Sequence, residues 1–540
     1  MTKKCCVLIL AATIVALALR LPRLQQRPMH GDEAVHADKF KTLLEEGVYT
    51  YDPYEYHGPT LNYLTLIPAR LSSAHRLSEI NEFTLRIVPV FFGVLLVLLV
   101  LLISRGLGPN AAVIAAVLAA ISPAMVFYSR YYIQEMLLVS FTFCAIVSGY
   151  RYSQSRKIVW AILTGISMGL MHASKETCVI AFGSMFLALL IMLLMRRSKE
   201  SIVNAVKLVK PLHFLMFLGA FAITSTLFFS SFFANPSGIL DSIRTYTTYF
   251  NRAGNSTLHV HPWYYYLKML LYSRFFDGPI WTEALIVVLA LVGFVAAIVK
   301  KSFSYANIHL IRFLGFYTLI MTLVYSLIPY KTPWCMLGFL HGMILLAGVG
   351  AVVLVRLVPN VLPRLIIICL LFEGSVHLLW QSYLNNYEYY SDSRNPYVYA
   401  HPTNEVFTIV KRIEDMARVH PDGYRMHIQI ICPGKDYWPL PWYLRRFEYG
   451  TVDWWESVDN SVSSAPLIIA SPEVEEALAR KLYVLTPFEE RQIYLFLFDK
   501  PYYLWLRPKV KLLGYVREDL WNAYHESLET QELINKSSKK

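Results

Sequence analysis

The sequence predicts an α-helical polytopic membrane protein of about eleven spans, each needing roughly 17 to 25 mostly apolar residues, with an α/β domain at its C-terminal end. Three observations carry that prediction. Of 540 residues, 55% are hydrophobic and only 16% are charged. The apolar residues gather into runs of bilayer length rather than at core-strand spacing. These runs stop near residue 385, beyond which short helical and strand-like patterns take over. A soluble globule is excluded. The formal charge of +12 could suggest nucleic acid, but much of the Lys/Arg excess lies in short connections beside apolar runs, where the positive-inside rule puts it.

The candidate spans lie near 5–22, 84–103, 109–128, 132–150, 158–173, 177–195, 212–233, 280–299, 308–328, 334–355 and 362–382. Lys3 and Lys4 precede the first. The sets Arg151/Arg156/Lys157, Arg196/Arg197/Lys199/Lys207/Lys210 and Lys300/Lys301 fall on alternate connections of one side, which makes that side cytoplasmic. A cleaved signal peptide is the other reading of the first segment, since Lys3-Lys4, an apolar stretch and Ala16-Leu17-Ala18 resemble the three signal regions. Either way residue 30 lies outside, and an odd number of spans places the C-terminal region outside as well.

The expected organisation is a multi-span domain over 1–384 with a long outer loop at 23–83, an extracytoplasmic α/β domain over 385–526 and a disordered tail at 527–540. Within the α/β domain, 405–418 and 472–480 have helical periodicity, while 425–432, 466–470 and 493–498 read as strands. Six of the seven cysteines lie in apolar segments, leaving Cys432 alone in the tail, so no disulfide framework or zinc module is expected there.

Ionisable residues crowd the outer connections. The first outer loop holds Pro28-Met29-His30-Gly31-Asp32-Glu33-Ala34-Val35-His36. Two adjacent carboxylates can divide labour between general base and metal ligand or orienter; Asp32 also reads well as the start of an amphipathic helix. In the second, Tyr128-Ser129-Arg130-Tyr131-Tyr132-Ile133-Gln134-Glu135, Arg130 offers a fork for phosphate or snorkels to the interface, and the tyrosines stack on sugar or anchor in the headgroups. The third, His172-Ala173-Ser174-Lys175-Glu176, is so short that Lys175 and Glu176 sit in the bundle mouth, paired with each other or facing a phosphate. The fourth carries His259-Val260-His261-Pro262-Trp263-Tyr264-Tyr265-Tyr266, where His-x-His could bind a metal and the aromatics form a belt. The fifth, Pro329-Tyr330-Lys331-Thr332-Pro333-Trp334, adds a second lysine facing phosphate. In the tail, Asp436-Tyr437-Trp438-Pro439-Leu440-Pro441-Trp442-Tyr443 stacks on glycan or, as the favoured reading, seals the domain onto the membrane.

This arrangement resembles the C-type glycosyltransferase superfamily, in its protein mannosyltransferase and lipid A aminoarabinose transferase branch. The carrying motifs are Gly31-Asp32-Glu33, His57-Gly58-Pro59-Thr60-Leu61-Asn62-Tyr63, Ser129 to Glu135, Gly169-Leu170-Met171-His172-Ala173-Ser174-Lys175-Glu176, His261 to Tyr266 and Pro329 to Pro333. The segments PMHGDEAVHADKF, YDPYEYHGPTLNY and DYWPLPWYLR look like the prokaryotic flippase activity-associated proteins of that superfamily. The resemblance implies transfer of a sugar from a polyprenyl-phosphate carrier to a lipid, glycan or protein acceptor. It makes Asp32 the base and Glu33 its helper, and gives Arg130, Lys175 and Lys331 the carrier phosphate. His36, His57, Tyr131, Glu135, Glu176 and Tyr264 become candidates for sugar and acceptor contacts, and Glu33 with His261 for a divalent metal ion. His36 stands one residue later than in the protein mannosyltransferases, which puts a protein acceptor in doubt. A flippase or transporter component would place its charges near the midplane on paired repeats; a non-catalytic scaffold would keep the tail without needing Asp32.

Overall fold

The computed structural model describes residues 3–195, 210–255, 259–299, 303 and 305–537. It forms two compact units, one of residues 1–24, 40–75 and 80–399, the other of 25–39, 76–79 and 400–540. The boundary expected at 384/385 thus falls at 399/400, and the stretch carrying Asp32 and Glu33 groups with the C-terminal residues.

The first unit is a helix bundle whose helices fall on the apolar runs. Among the described residues six are long and apolar enough to cross a membrane: Glu82–Leu107, Glu135–Ser155, Pro211–Phe229, Ile308–Leu327, Pro333–Leu357 and Val361–Tyr387. Shorter apolar helices occupy Pro109–Ile121, Ile158–His172, Cys178–Leu194 and Ala284–Val299, and helix Lys3–Arg20 occupies the first expected span. Pro333–Leu357 is 83% buried along its apolar window and forms the centre, whereas Val361–Tyr387 at 6% and Pro211–Phe229 at 11% turn nearly bare apolar surface outward, as lipid-facing helices do.

The span expected over 109–128 is two helices, Pro109–Ile121 and Pro123–Tyr128. Pro123 has no N–H to continue the ladder and clashes with the preceding turn, and the Ser122 Oγ caps the second helix through the Met125 N–H. Fully buried Glu283 holds this break. One of its oxygens accepts from the Ser122 hydroxyl at 2.5 Å, the other from the Ala124 N–H and the Tyr397 hydroxyl, each at 2.9 Å.

The second unit is built on a six-stranded mixed sheet of order β2-β1-β3-β6-β4, with β5 paired to β6. The strands are β1 (Ile428–Ile431), β2 (Val452–Trp455), β3 (Leu467–Ala470), β4 (Tyr494–Phe496), β5 (Tyr503–Arg507) and β6 (Val510–Arg517). β1 runs parallel to both β2 and β3, and β6 runs antiparallel to β3, β4 and β5. Ile431, Ile468, Ala470, Val474, Leu478 and Leu482 form one core face, and helix Glu405–Val419 buries Val406, Ile409, Val410, Ile413 and Met416 at helical spacing. Helix Glu518–Ser537 corrects the expected disorder over 527–537: the polar stretch read as a tail carries enough Leu, Glu and Gln to continue a helix already started at Glu518. Residues 538–540 lie outside the described residues.

Replacing Glu283 by Ala orphans three buried donors, so the thermal unfolding midpoint in detergent should fall by the equivalent of about 3 kcal/mol or more. An unchanged midpoint would remove Glu283 as the clamp of the break.

Candidate functional site

In the first unit the site is organised around the turn between helices Ile158–His172 and Cys178–Leu194. Residues 57–60 dock directly against it. The Thr60 N–H donates to the Ala173 carbonyl at 3.1 Å and the Thr60 and Ser174 hydroxyls meet at 2.7 Å. Gly58 permits this approach, because a β-carbon there would stand 2.3 Å from the Ala173 carbonyl oxygen. His57 is thereby delivered to Glu176, Nδ1 to Oε2 at 2.8 Å. The Tyr51 hydroxyl donates to the other Glu176 oxygen at 3.1 Å, and the Tyr249 hydroxyl lies 2.9 Å from His57 Nδ1. Burial, the largest single influence, pushes the Glu176 carboxyl up, but His57, a backbone hydrogen bond and the Lys175 charge together hold it below the ordinary carboxylate range.

Lys175 does not pair with Glu176, as one reading of the turn expected. Its ammonium bonds Glu135, the first residue of helix Glu135–Ser155. Side chains of consecutive residues diverge, so each of the two charges finds its own partner. Burial works against the Lys175 charge, and the Glu135 carboxylate more than offsets this, holding the ammonium above the ordinary lysine range. Glu135 also borders a narrow cleft lined further by Thr177, Tyr325, Trp334 and Cys335.

Arg130 is occupied otherwise than expected. Its guanidinium donates to the carbonyls of Arg20 at 3.0 Å, Pro22 at 2.8 Å and Arg23 at 3.3 Å and to the Tyr387 hydroxyl at 3.2 Å, with its carbon 4.9 Å over the Tyr387 ring. It caps the end of helix Lys3–Arg20, whose last carbonyls lack intrahelical partners, and burial lowers its pKa to about 10. Tyr131 likewise is core: fully buried, its ring packs against Tyr128 at 6.0 Å and Trp334 at 5.7 Å. Tyr264 is 46% exposed beside the exposed Trp263, the arrangement of an interfacial belt.

Lys331 and His261 do come together. An antiparallel bridge joins Val260 to Tyr330, with the His261 N–H on the Pro329 carbonyl at 3.1 Å and the Lys331 N–H on the His259 carbonyl at 2.9 Å. The Lys331 ammonium donates to the carbonyls of His261 and Ile328. These acceptors are neutral, and burial draws the lysine below its ordinary range. The His261 ring stacks on Tyr265 at 4.2 Å and is held below the usual histidine range by burial, then by His259 and Lys331.

In the second unit the two adjacent carboxylates separate. Both lie in the first turn of helix Gly31–Glu46, where the N-terminal dipole favours negative charge. Glu33 is fully buried; one oxygen accepts from the His30 N–H at 3.0 Å and the other lies 3.6 Å from the Arg27 guanidinium. The Asp32 side chain is 50% exposed, and its N–H donates to His30 Nδ1 at 3.0 Å. His30 rests against His401, ring centroids 4.7 Å apart, and His36 is buried. Sequence reasoning missed what flanks this segment: the Met29 N–H donates to the Tyr443 hydroxyl at 2.8 Å, and a β-carbon on Gly31 would lie 3.8 Å from the Trp438 β-carbon. No local pattern signals a contact between residues some four hundred positions apart.

No three His, Cys, Asp or Glu side chains among the described residues come together as a metal site. Glu33 is engaged by Arg27 and backbone, and His261 by Tyr265, so the expected metal role of these two does not fit the donor set.

Comparison with known proteins bears on this geometry. Residues 54–235 match the family model for dolichyl-phosphate-mannose-protein mannosyltransferase. ArnT from Cupriavidus metallidurans in the apo state matches with a TM-score of 0.59 and 14% identity, over 94% of this chain and 97% of that one. The same protein bound to undecaprenyl phosphate gives 0.57 and 13% over the same shares. The oligosaccharyltransferase AglB from Archaeoglobus fulgidus, in complex with an inhibitory peptide and a dolichol-phosphate, gives 0.54 and 13% over 96% of this chain and 77% of that one. No curated protein sequence matches. The chain is a membrane protein that shares the fold of ArnT and AglB, and residues 54–235 carry its likeness to the protein mannosyltransferase family.

The Lys175–Glu135 pair separates a structural from a ligand-binding lysine. Lys175→Ala strands a buried carboxylate and should cost about 3–5 kcal/mol in thermal unfolding, whereas Lys175→Met combined with Glu135→Leu should recover most of it. If the double variant is as unstable as the single one, the pair is not what fixes this turn.

Proposed function

We propose that this chain is a membrane glycosyltransferase that moves a sugar from a polyprenyl-phosphate carrier to an extracytoplasmic acceptor, with Asp32 as general base. The observation that carries the proposal is the fold it shares, over 94% of its length, with a protein whose structure holds undecaprenyl phosphate. The residue geometry is consistent with it. Of the two adjacent carboxylates, buried Glu33 anchors the helix start, and half-exposed Asp32 is the one a substrate hydroxyl can reach.

In this reading Asp32 takes the proton of the acceptor hydroxyl as its oxygen attacks the anomeric carbon. The bond from that carbon to the carrier phosphate breaks, and its electron pair leaves with the phosphate. One displacement inverts the anomeric centre. Lys331 suits the departing phosphate, since its ammonium is held by neutral carbonyls and keeps its charge for an anion. Arg130 is given no part in this step, because its donors serve backbone carbonyls.

The test is sugar transfer from a radiolabelled polyprenyl-phosphate sugar panel, with membrane extract as acceptor source. Wild type should transfer at least one sugar, and folded Asp32→Asn should lose on the order of 10²–10⁴ in rate. Equal rates would remove Asp32 as the base. Silence across the panel, with acceptor shown to be present, would shift the reading to a scaffold or transporter.

A further inference from the structure

The second unit carries a feature the transfer reading does not use. Parallel strands β1, β2 and β3 lie side by side with β1 between the other two. In open α/β sheets, ligands bind in the crevice beyond the carboxyl ends of such strands, where connections leave in opposite directions. The connection leaving β1 is Cys432 to Pro439, and it is rich in aromatic and charged side chains.

Three aromatic rings meet there. Tyr437 lies 4.8 Å from Trp454 of edge strand β2 and 6.1 Å from Trp438. Tyr437 is buried, so it backs the group, while Trp438 and Trp454 keep part of their surface in solvent. Polar groups flank the rings. The Arg507 guanidinium bonds the Asp436 carboxylate and also donates to the Trp438 carbonyl at 3.3 Å. This fixes both the loop and a charged pair beside the indole. The loop lies against the segment bearing Asp32 through the Trp438–Gly31 approach, and the helix Leu440–Tyr443 that follows it is tied there through the Tyr443 hydroxyl.

We propose that Trp438 and Trp454, with Asp436 and Arg507, form a saccharide-binding site that holds the acceptor beside Asp32; this rests on the transferase reading above. The chemistry fits a sugar. Partly exposed indole faces offer apolar surface to the C–H face of a pyranose, and an adjacent carboxylate–guanidinium pair offers both acceptors and donors to its hydroxyls. A lipid acyl chain would find a charged pair in its path.

The full-length protein in detergent, titrated calorimetrically with chitotetraose, maltotetraose and mannotetraose, tests this. Wild type should bind at least one saturably, and Trp438→Ala and Trp454→Ala should each weaken it about tenfold, with a matching rise in KM for that acceptor. Both variants are used because either could misfold, and each must retain the wild-type unfolding midpoint to count. Absence of saturable binding to all three by wild type, or wild-type affinity in a folded Trp438→Ala, overturns the site. Saccharide binding lost in the variants, together with no transfer by wild type, would sink the transferase reading while leaving the site standing. Transfer to a lipid or peptide acceptor that both variants perform normally would do the reverse.

Discussion

A charge in an apolar helix bundle must find a counter-charge or hydrogen-bond partners where it stands, because leaving it bare there is costly. The turn Ser174-Lys175-Glu176 shows how far that requirement propagates. It is too short to carry its two charges into solvent, so each recruits a partner from elsewhere in the chain. Lys175 fixes the start of helix Glu135–Ser155. Glu176 draws in His57 and Tyr51, and with them the end of the first long connection. The constraint on Gly58 follows, since residues 57–60 must lie flat on the Ala173 carbonyl for His57 to arrive.

The same requirement decides which cations remain for a ligand. Arg130, Lys175 and Lys331 look alike in a sequence, each a lone basic residue at the end of an apolar run. Their surroundings sort them. Arg130 meets the unsatisfied carbonyls that end helix Lys3–Arg20 and becomes a cap; Lys175 meets a carboxylate and becomes half of an ion pair. Lys331 donates to uncharged carbonyls, so its formal charge keeps an attraction for anions. Spacing could not distinguish these fates, because the partners lie from three to more than two hundred and fifty residues away.

What was legible in the sequence is what depends on local pattern. Apolar runs located the helices, since burial in lipid forces each span to satisfy its own backbone, and helix Glu405–Val419 together with strands β1, β3 and β4 fell where periodicity put them. The break at Ser122-Pro123 was passed over because the apolar run continues through it. β2 escapes the pattern because Val452-Asp453-Trp454-Trp455 does not alternate, and the burial of Tyr131 is a property of its neighbours, not of its own stretch.

The pair Asp32-Glu33 was visible as a pair, but its division of labour was not. Successive residues on a helix point about 100° apart, so at a half-buried helix start one carboxylate turns inward and the next outward. Which one turns inward is set by the position of Arg27 and the His30 N–H, both of which find Glu33. A carboxylate that already serves a guanidinium and a backbone donor has its lone pairs committed and is a poor base. Its exposed neighbour keeps its own. Glu33 therefore bears on the proposed base through position: by tying the first helical turn to Arg27 and His30, it fixes the direction in which Asp32 points.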